Sequence, residues 1–325
     1  MKRVVGVVLG CLLALPLTGC FFGGTVMTDS YANAEAYHAG RFEYRAEDVK
    51  KLEVNWYCGG VTLKQTEGDT LHVTESGENL STEEALHWLL EDGVLRVEFC
   101  ASGYASRFSG QDKKLTVEIP AGLDIEVTST SAGIAAELGK QKNVTLQTTS
   151  GAIEVSGTTD AETLRLGTTS GAIDLEQLTA KSLTAETTSG SVRVQEVNVT
   201  ESVRLGSTSG SIRAESLNAN GGTVAAESNS GSIRLDTVRT GILTVGTTSG
   251  GVTVGLNECK NASIQTTSGS VRLNLSQSLG ATVHASSTSG SFNGSGYRSE
   301  NGRYIWGDGA CTVSLGTTSG SITVK

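Results

Sequence analysis

The stretch that decides the fold runs from Leu164 to Leu175 and reads Leu-Arg-Leu-Gly-Thr-Thr-Ser-Gly-Ala-Ile-Asp-Leu. Apolar and polar residues alternate on both sides of its Ser170-Gly171 pair. A two-residue period is typical of a β-strand with one buried face. The Ser-Gly step predicts a corner between two such strands, where glycine is expected because it adopts backbone angles that other residues avoid.

The same unit recurs through the second half of the chain. Its Ser-Gly pairs begin at residues 150, 170, 189, 209, 230, 249, 268, 289 and 319. Thr130-Ser131-Ala132 is an earlier copy with alanine in the glycine position. A near-constant period of this length indicates a solenoid, and parallel in-register stacking explains identical units better than an antiparallel meander. We therefore expect an all-β, single-chain β-solenoid (β-helix-like) of about ten rungs of ~20 residues. Corner threonines and serines should hydrogen-bond along the stack.

Composition agrees with a thin core and tight corners. Aromatic residues make up 5% of the chain, which has two prolines and 41 glycines. These proportions suit stacked short strands better than a large spherical core.

The N-terminus carries the pattern of an export signal. A basic Met1-Lys2-Arg3 precedes an apolar run that is too short for a comfortable membrane span, and Leu17-Thr18-Gly19-Cys20 then matches a lipobox. We predict a lipoprotein signal peptide over residues 1–19, with acyl chains (diacylglycerol and palmitate-like) on Cys20 and a tether over 20–48. The protein would be extracytoplasmic, lipid-anchored to the outer face of the cell membrane.

Charge and cysteine usage fit that location. Loss of Lys2 and Arg3 leaves 23 basic against 34 acidic residues, a formal charge of −11, which argues against nucleic acid as a partner. Four cysteines remain after processing besides Cys20, and disulfides persist in extracytoplasmic proteins. They allow three pairings, of which Cys58–Cys100 with Cys259–Cys311 is the most local. Their spacing matches no metal or redox motif, so no metal site and no cofactor is predicted.

Residues 49–120 are β-rich but less regular, and we predict a β-rich N-terminal cap or degenerate rungs there. Solenoid ends need covering. Residues 81–90 could form a helix, because Ser81 and Glu84 have capping-box spacing. The Asp92-Gly93 turn favours a hairpin over the same region, and the hairpin is the preferred interpretation. The repeat solenoid is placed at residues 121–325.

Arginines occupy one exposed column of the repeats, three residues after the corner glycine. Consecutive units place Arg193, Arg213 and Arg234 there. One interpretation is a solvated ladder of salt bridges, with carboxylates two residues further along each strand as partners; they are Glu176, Glu215 and Asp236. The other is a stripe that contacts an anionic polymer or glycan.

The last interval between Ser-Gly pairs is 30 residues instead of 19 to 21, so an insertion is placed at residues 294–309. It concentrates aromatic residues, namely Tyr297, Tyr304 and Trp306. Insertions in solenoids form loops on one face, often the binding face, and aromatic rings stack on sugars. These three side chains could instead cover the open end of the core.

The sequence resembles a bacterial adhesin-like β-strand-repeat family, domain of unknown function 4097 (DUF4097). The resemblance rests on Asn33 to Gly40, on Leu52-Glu-Val-Asn-Trp56 through Leu63, on Lys114-Leu-Thr-Val-Glu-Ile-Pro120 and on the Thr-Thr-Ser-Gly units. It covers roughly residues 33–325. The resemblance implies a β-helix-like fold on a cell-envelope protein and offers no catalytic residues.

No nucleophile elbow, metalloprotease motif, P-loop or dinucleotide fingerprint occurs in the sequence. We therefore expect a non-enzymatic cell-surface lipoprotein, an adhesin-like binding or scaffold module of the cell envelope. Its partners would be the membrane, through the lipid, and an envelope glycan or surface protein. The alternatives are a carbohydrate-active β-helix enzyme and an envelope-stress accessory protein that acts through a membrane partner.

Overall fold

The computed structural model describes residues 30–77, 80–104 and 113–325. The predicted signal peptide and the predicted lipid site at Cys20 lie outside these residues. Two short 3-10 helices occur at Ala34–Ala36 and Ala46–Asp48, and the other regular elements are strands.

The strands of the N-terminal part are β1 His38–Ala39, β2 Phe42–Arg45, β3 Lys51–Trp56, β4 Gly60–Gln65, β5 Thr70–Ser76, β6 His87–Glu91, β7 Val94–Glu98, β8 Lys114–Ile119, β9 Asp124–Ser129, β10 Gly133–Glu137 and β11 Gly139–Lys140. Those of the repeats are β12 Asn143–Thr148, β13 Ile153–Thr168, β14 Ile173–Thr187, β15 Val192–Ser207, β16 Ile212–Asn218, β17 Thr223–Ser228, β18 Ile233–Arg239, β19 Ile242–Thr247, β20 Val252–Glu258, β21 Asn261–Thr266 and β22 Val271–Leu275. The last six are β23 Ala281–Ser287, β24 Phe292–Gly294, β25 Arg298–Glu300, β26 Arg303–Trp306, β27 Cys311–Thr317 and β28 Ile322–Val324.

Successive repeats stack as parallel strands in register, which confirms the β-solenoid. Leu164 pairs with Leu183, and Ile173 pairs with Val192, so each apolar residue lies on its equivalent in the next rung. The inward columns are buried along the stack. Each rung has a first side, which ends at the Thr-Thr-Ser-Gly corner, and a second side, which follows that corner. Between residues 139 and 258 a third side closes the rung.

The corner glycines are required for a reason that differs from the expected one. None of them has a φ in the left-handed region. At Gly190, a Cβ would lie 1.7 Å from the carbonyl oxygen of Gly171 in the preceding rung. Glycine is therefore needed because adjacent corners approach closely, and the expectation of unusual backbone angles is wrong at these positions.

The first threonine of each unit fastens the corner to its neighbour, as predicted. Thr187 is buried, and its Oγ1 accepts a hydrogen bond from the Gly190 N–H at 3.1 Å. The same hydroxyl donates to the Gly171 carbonyl oxygen at 3.1 Å. Equivalent pairs of bonds recur at Thr168, Ser207 and Ser228.

The order of the strands in space departs from their order in the chain at both ends of the stack. On the first side, β3 lies between β7 and β9, and on the second side β4 lies between β8 and β10. At the other end, β27 lies between β21 and β23, and β28 between β22 and β24. The rungs β3/β4 and β27/β28 are called the intercalated rungs below.

An antiparallel cap covers the N-terminal end of the stack. Strand β6 forms a hairpin with β7 around Asp92 and Gly93, whose positive φ angles suit a tight hairpin turn. The preferred hairpin is therefore present, and the Ser81–Glu84 capping-box hydrogen bonds precede it. Strands β1 and β2 pair with β6 and β5, so residues 38–45, assigned to the tether from sequence, belong to this cap.

The insertion near the C-terminus forms a second hairpin. Strands β25 and β26 pair with each other, and β26 runs antiparallel to β23 with Trp306 opposite Ala281. The insertion thus lies over the outermost rung, β23/β24.

Candidate functional site

The three predicted arginines lie side by side on the second side of the solenoid. Strand pairing places Arg193 opposite Arg213, and Arg213 opposite Arg234, so three guanidinium groups occupy consecutive rungs. Their side chains are 49 to 60% exposed. The spacing in the sequence therefore identified a real surface column, which we call the arginine column.

Two aspartates form ion pairs with these three arginines. Arg193 Nη1 lies 3.6 Å from Asp174 Oδ1. Asp236 is shared, with Arg234 Nε at 2.6 Å from Oδ1 and Arg213 Nη2 at 3.5 Å from Oδ2. The salt-bridge ladder thus exists, and Asp236 is the only one of the three expected carboxylates that contributes to it among the described residues.

The surface next to the arginine column is polar and regular. Ser191, Ser211 and Ser232 form the adjacent exposed column, and the Oγ atoms of Ser211 and Ser232 are 3.3 Å apart. Beyond Arg234, the arginine column continues through Thr253 to Arg272. Exposed ion pairs of this kind contribute little to stability. Since a guanidinium has five N–H donors, the column retains donors that can bind carboxylate or sulfate groups.

The three aromatic residues of the insertion come together at the end of the stack. Tyr304 stacks on Phe292 with ring centroids 4.0 Å apart and an interplanar angle of 15°. Trp306 is 9% exposed, and its indole N–H donates to the Ser295 carbonyl oxygen at 2.9 Å. Tyr297, at 37% exposure, lies against both Tyr304 and Trp306. This packing covers the core and leaves Tyr297 as the accessible ring.

A buried lysine that sequence reasoning missed lies in the N-terminal cap. Lys113 has no exposed surface, and its Nζ is 2.9 Å from Glu75 Oε2. The ammonium also donates to the carbonyl oxygens of Glu84 and Phe99 and lies over the rings of Phe99 and Trp56, at 4.4 and 5.2 Å from their centroids. Burial holds the pKa of Lys113 below its ordinary value, and Glu75 partly offsets that effect. No sequence motif distinguishes this lysine from the exposed Lys114 beside it.

The cysteines lie next to the intercalated rungs. Cys58 follows β3, and Cys100 follows β7. Cys311 is the first residue of β27, and Cys259 lies directly after β20, two residues before β21. Cys259 and Cys311 are both thiols in the structure. A hydrogen bond from the Cys311 thiol lowers the pKa of Cys259, and the same bond raises the pKa of Cys311.

Within residues 30–77, 80–104 and 113–325, no group of three or more His, Cys, Asp or Glu side chains is placed to hold a metal ion. In the same ranges, no helix has the length and apolar character needed to cross a bilayer.

One family profile matches the chain, and several solved structures are similar to it. The sequence profile of a family described as "Toastrack DUF4097" matches residues 49–228 and 170–325. A "putative adhesin" from Parabacteroides distasonis ATCC 8503 is similar at 12% identity and a TM-score of 0.48, over 89% of this chain and 97% of that one. A second "putative adhesin", from Parabacteroides merdae ATCC 43184, is similar at 12% identity and a TM-score of 0.47, over 93% of this chain and 100% of that one. A "Putative lipid binding protein" from Parabacteroides distasonis ATCC 8503 is similar at 14% identity and a TM-score of 0.42, over 91% and 99%. No curated protein matches the chain.

Proposed function

Given that the chain belongs to the Toastrack family of domain of unknown function 4097, we propose that it is a non-enzymatic, adhesin-like binding module of the cell surface. Its ligand would be an anionic polymer of the envelope or the extracellular matrix, held along the second side of the solenoid. The observation that carries this proposal is the arginine column, in which three exposed guanidinium groups on consecutive rungs share two carboxylates among the residues that the structure describes.

The geometry suits a polymer better than a small molecule. Adjacent rungs are ~4.8 Å apart, so the column offers donors at a short, constant interval along a straight line. Each exposed contact is weak, but several contacts to one chain add through effective concentration. The chain carries a net negative charge. Repulsion from the rest of the surface would therefore restrict an anionic polymer to this column.

Attachment to the membrane forms the second part of the proposal. Acyl chains on Cys20 would hold the N-terminal end of the rod at the outer face of the membrane and leave the second side open to polymer. Growth with a radiolabelled fatty acid tests this directly. The mature protein should carry label, and Cys20→Ser should lose both the label and the membrane association; a labelled Cys20→Ser protein would contradict the assignment.

Binding is tested with dextran sulfate and polygalacturonate as anionic probes and with uncharged dextran as the negative probe. The variant Arg193→Gln/Arg213→Gln/Arg234→Gln should weaken binding of the anionic probes by at least ~10-fold, since each lost charged contact contributes about 1 kcal/mol. Binding by the unmodified protein should also weaken as salt is raised.

The matched control removes three positive charges from the other two sides, in Arg165→Gln/Lys181→Gln/Arg204→Gln. It changes the net charge equally and should bind like the unmodified protein. Equal losses in both variants would mean that net charge, and not the arginine column, governs binding. Release of reducing ends from polygalacturonate during the incubation would instead favour a carbohydrate-active enzyme.

A further inference from the structure

We propose that two disulfide bridges, Cys58–Cys100 and Cys259–Cys311, fasten the intercalated rungs to a neighbouring rung at the two ends of the solenoid. Each bridge would join one residue beside an intercalated rung to one residue beside the adjacent rung. Strand order, strand register and the burial of the cysteines support the two bridges, which do not depend on the proposed ligand.

At the C-terminal end the strand register brings the two cysteines to adjacent positions. Strands β21 and β27 pair with Asn261 opposite Thr312, so Cys259, just before β21, and Cys311, the first residue of β27, are diagonal neighbours. Cys311 is fully buried and Cys259 is 8% exposed. The Cys259 thiol donates to the carbonyl oxygens of Asn261, at 3.0 Å, and Gly241, at 3.6 Å. Neighbouring strands at this offset bring Cα atoms within the range that a disulfide spans.

The N-terminal end repeats the arrangement. Strands β3 and β7 pair with Asn55 opposite Glu98, so Cys58 and Cys100 are diagonal neighbours just after these strands end. Both sulfur groups are close enough to Lys113 to influence the pKa of its ammonium group. Four cysteines thus form two pairs, and each pair contains one residue adjoining an intercalated rung.

The topology explains why these rungs need fastening. A rung in the middle of the stack is joined to both spatial neighbours by short corners of the chain. It therefore cannot separate from the stack without disrupting those neighbours. Among the described residues, the rung β27/β28 is joined to the rest of the stack only through the insertion. If this rung separated from the stack, the outermost rung β23/β24 would separate with it. A covalent bond between Cys311 and Cys259 therefore secures two rungs together. The same holds for β3/β4 and the outer rung β7/β8.

Formation of each bridge requires an external oxidant of the disulfide class, such as oxidised glutathione or a protein dithiol oxidase. The Cys259 thiolate attacks one sulfur of that disulfide and expels the other as a thiolate, which takes up a proton. The Cys311 thiol then loses its proton and attacks Cys259 Sγ, which releases the second sulfur of the oxidant. Two electrons and two protons pass to the oxidant, which leaves as two thiols.

Peptide mapping of the exported full-length chain tests the pairing. The protein is alkylated with N-ethylmaleimide under denaturing conditions, without reduction, and digested with trypsin. Cleavage sites after Lys51, Lys64, Arg96, Arg107, Arg239, Lys260 and Arg303 place the four cysteines in four separate peptides. We expect two linked pairs, 52–64 with 97–107 and 240–260 with 304–325, each two hydrogens lighter than the sum of its parts. Four alkylated cysteines, or any other pairing, would overturn the proposal.

Hydrogen exchange of the same protein, with and without reduction, tests whether the bridges hold the rungs in place. Dithiothreitol should speed exchange in β27 and β23 on the order of 100-fold, while strands such as β17 in the middle of the stack stay unchanged. A Cys58→Ser/Cys100→Ser/Cys259→Ser/Cys311→Ser variant should exchange quickly at both ends and be insensitive to dithiothreitol. If reduction leaves β27 and β23 as protected as before, the bridges do not fasten the rungs.

Discussion

The middle of the solenoid and its two ends are stabilised in different ways. In the middle, every rung has the same neighbours, and the same contacts recur at each corner, as between Thr187, Gly190 and Gly171. At the ends, strands are intercalated out of chain order. The ends are covered by side chains that have no equivalent in the repeats, above all Lys113 and Trp306. A repeat therefore specifies the stack, but it does not specify how the stack stops.

The two ends also differ from each other. The N-terminal end is closed by an antiparallel cap around a buried ion pair between Lys113 and Glu75. The C-terminal end is closed by stacked rings, and Tyr297 remains partly exposed there. Because a buried charge without its partner costs far more than a thinned aromatic layer, the N-terminal end should be the more sensitive of the two.

The largest effect is expected from Gly190→Ala in the middle of the stack. The added methyl group would lie 1.7 Å from the Gly171 carbonyl oxygen, which belongs to backbone and cannot rotate away. We expect a loss of about 4 to 5 kcal/mol in the free energy of unfolding, measured in urea, because two rungs must separate.

The matched control is Gly246→Ala, since a Cβ at Gly246 would meet nothing within 4 Å. This change should leave the free energy of unfolding within about 0.5 kcal/mol of the unmodified value. Similar losses at both positions would show that the close approach of the corners is not what requires glycine.

Lys113→Met tests the N-terminal end. It leaves the Glu75 carboxylate buried without its ammonium partner and removes a donor from the carbonyl groups of Glu84 and Phe99. We expect the free energy of unfolding to fall by about 3 to 4 kcal/mol. The accompanying rise in hydrogen exchange should be largest in β5 to β8.

The double variant Lys113→Met/Glu75→Gln separates charge from packing. Glu75 Oε1 accepts a hydrogen bond from the Leu86 N–H at 2.8 Å, and glutamine keeps that acceptor. We expect the double variant to regain about half of the stability lost in Lys113→Met, since no charge is left buried. A double variant as unstable as Lys113→Met would indicate that the lysine acts through packing alone.

Trp306→Ala tests the C-terminal end. The indole packs over the outermost rung and donates to Ser295, so its removal should cost about 2 to 3 kcal/mol, with increased exchange confined to β23 to β28. Tyr297→Ala removes the most exposed ring of the cluster and should cost less than about 1 kcal/mol. If Trp306→Ala instead leaves stability unchanged and abolishes binding to a glycan, the cluster is a ligand site and not a cover.

Much of this architecture could be predicted from sequence, because the apolar alternation around Ser170-Gly171 fixes both the strands and the face that each strand buries. The register of the arginine column follows from the same constant spacing. The order of strands at the ends could not be predicted, since every rung carries a similar apolar pattern and fits against any other.

The environment of single residues was the second feature that the sequence could not predict. Lys113 and Lys114 are adjacent and chemically identical, yet one is fully buried and the other is exposed. Alternation along β8 indicates that neighbouring residues face opposite ways. It does not indicate that the Glu75 carboxylate on β5 pairs with one of these two lysines. The choice of Asp236 as the shared partner of two arginines likewise depends on side-chain positions that spacing does not determine.

The smallest effect on stability is expected from Thr187→Val, in the middle of the stack. Valine keeps the shape of the side chain but removes the hydroxyl that accepts from Gly190 and donates to Gly171. We expect the free energy of unfolding in urea to fall by about 1 to 2 kcal/mol, because the partly buried Gly190 N–H and the buried Gly171 carbonyl group lose their partner. Thr187→Ser retains the hydroxyl, as Ser207 and Ser228 do in equivalent corners, and should cost less than about 0.5 kcal/mol. Because the change affects one corner among many, hydrogen exchange should rise in the rungs on both sides of Thr187 and not at either end of the stack. A rise at the ends would mean that the stack unfolds as one unit. The middle and the ends would then not be energetically separate.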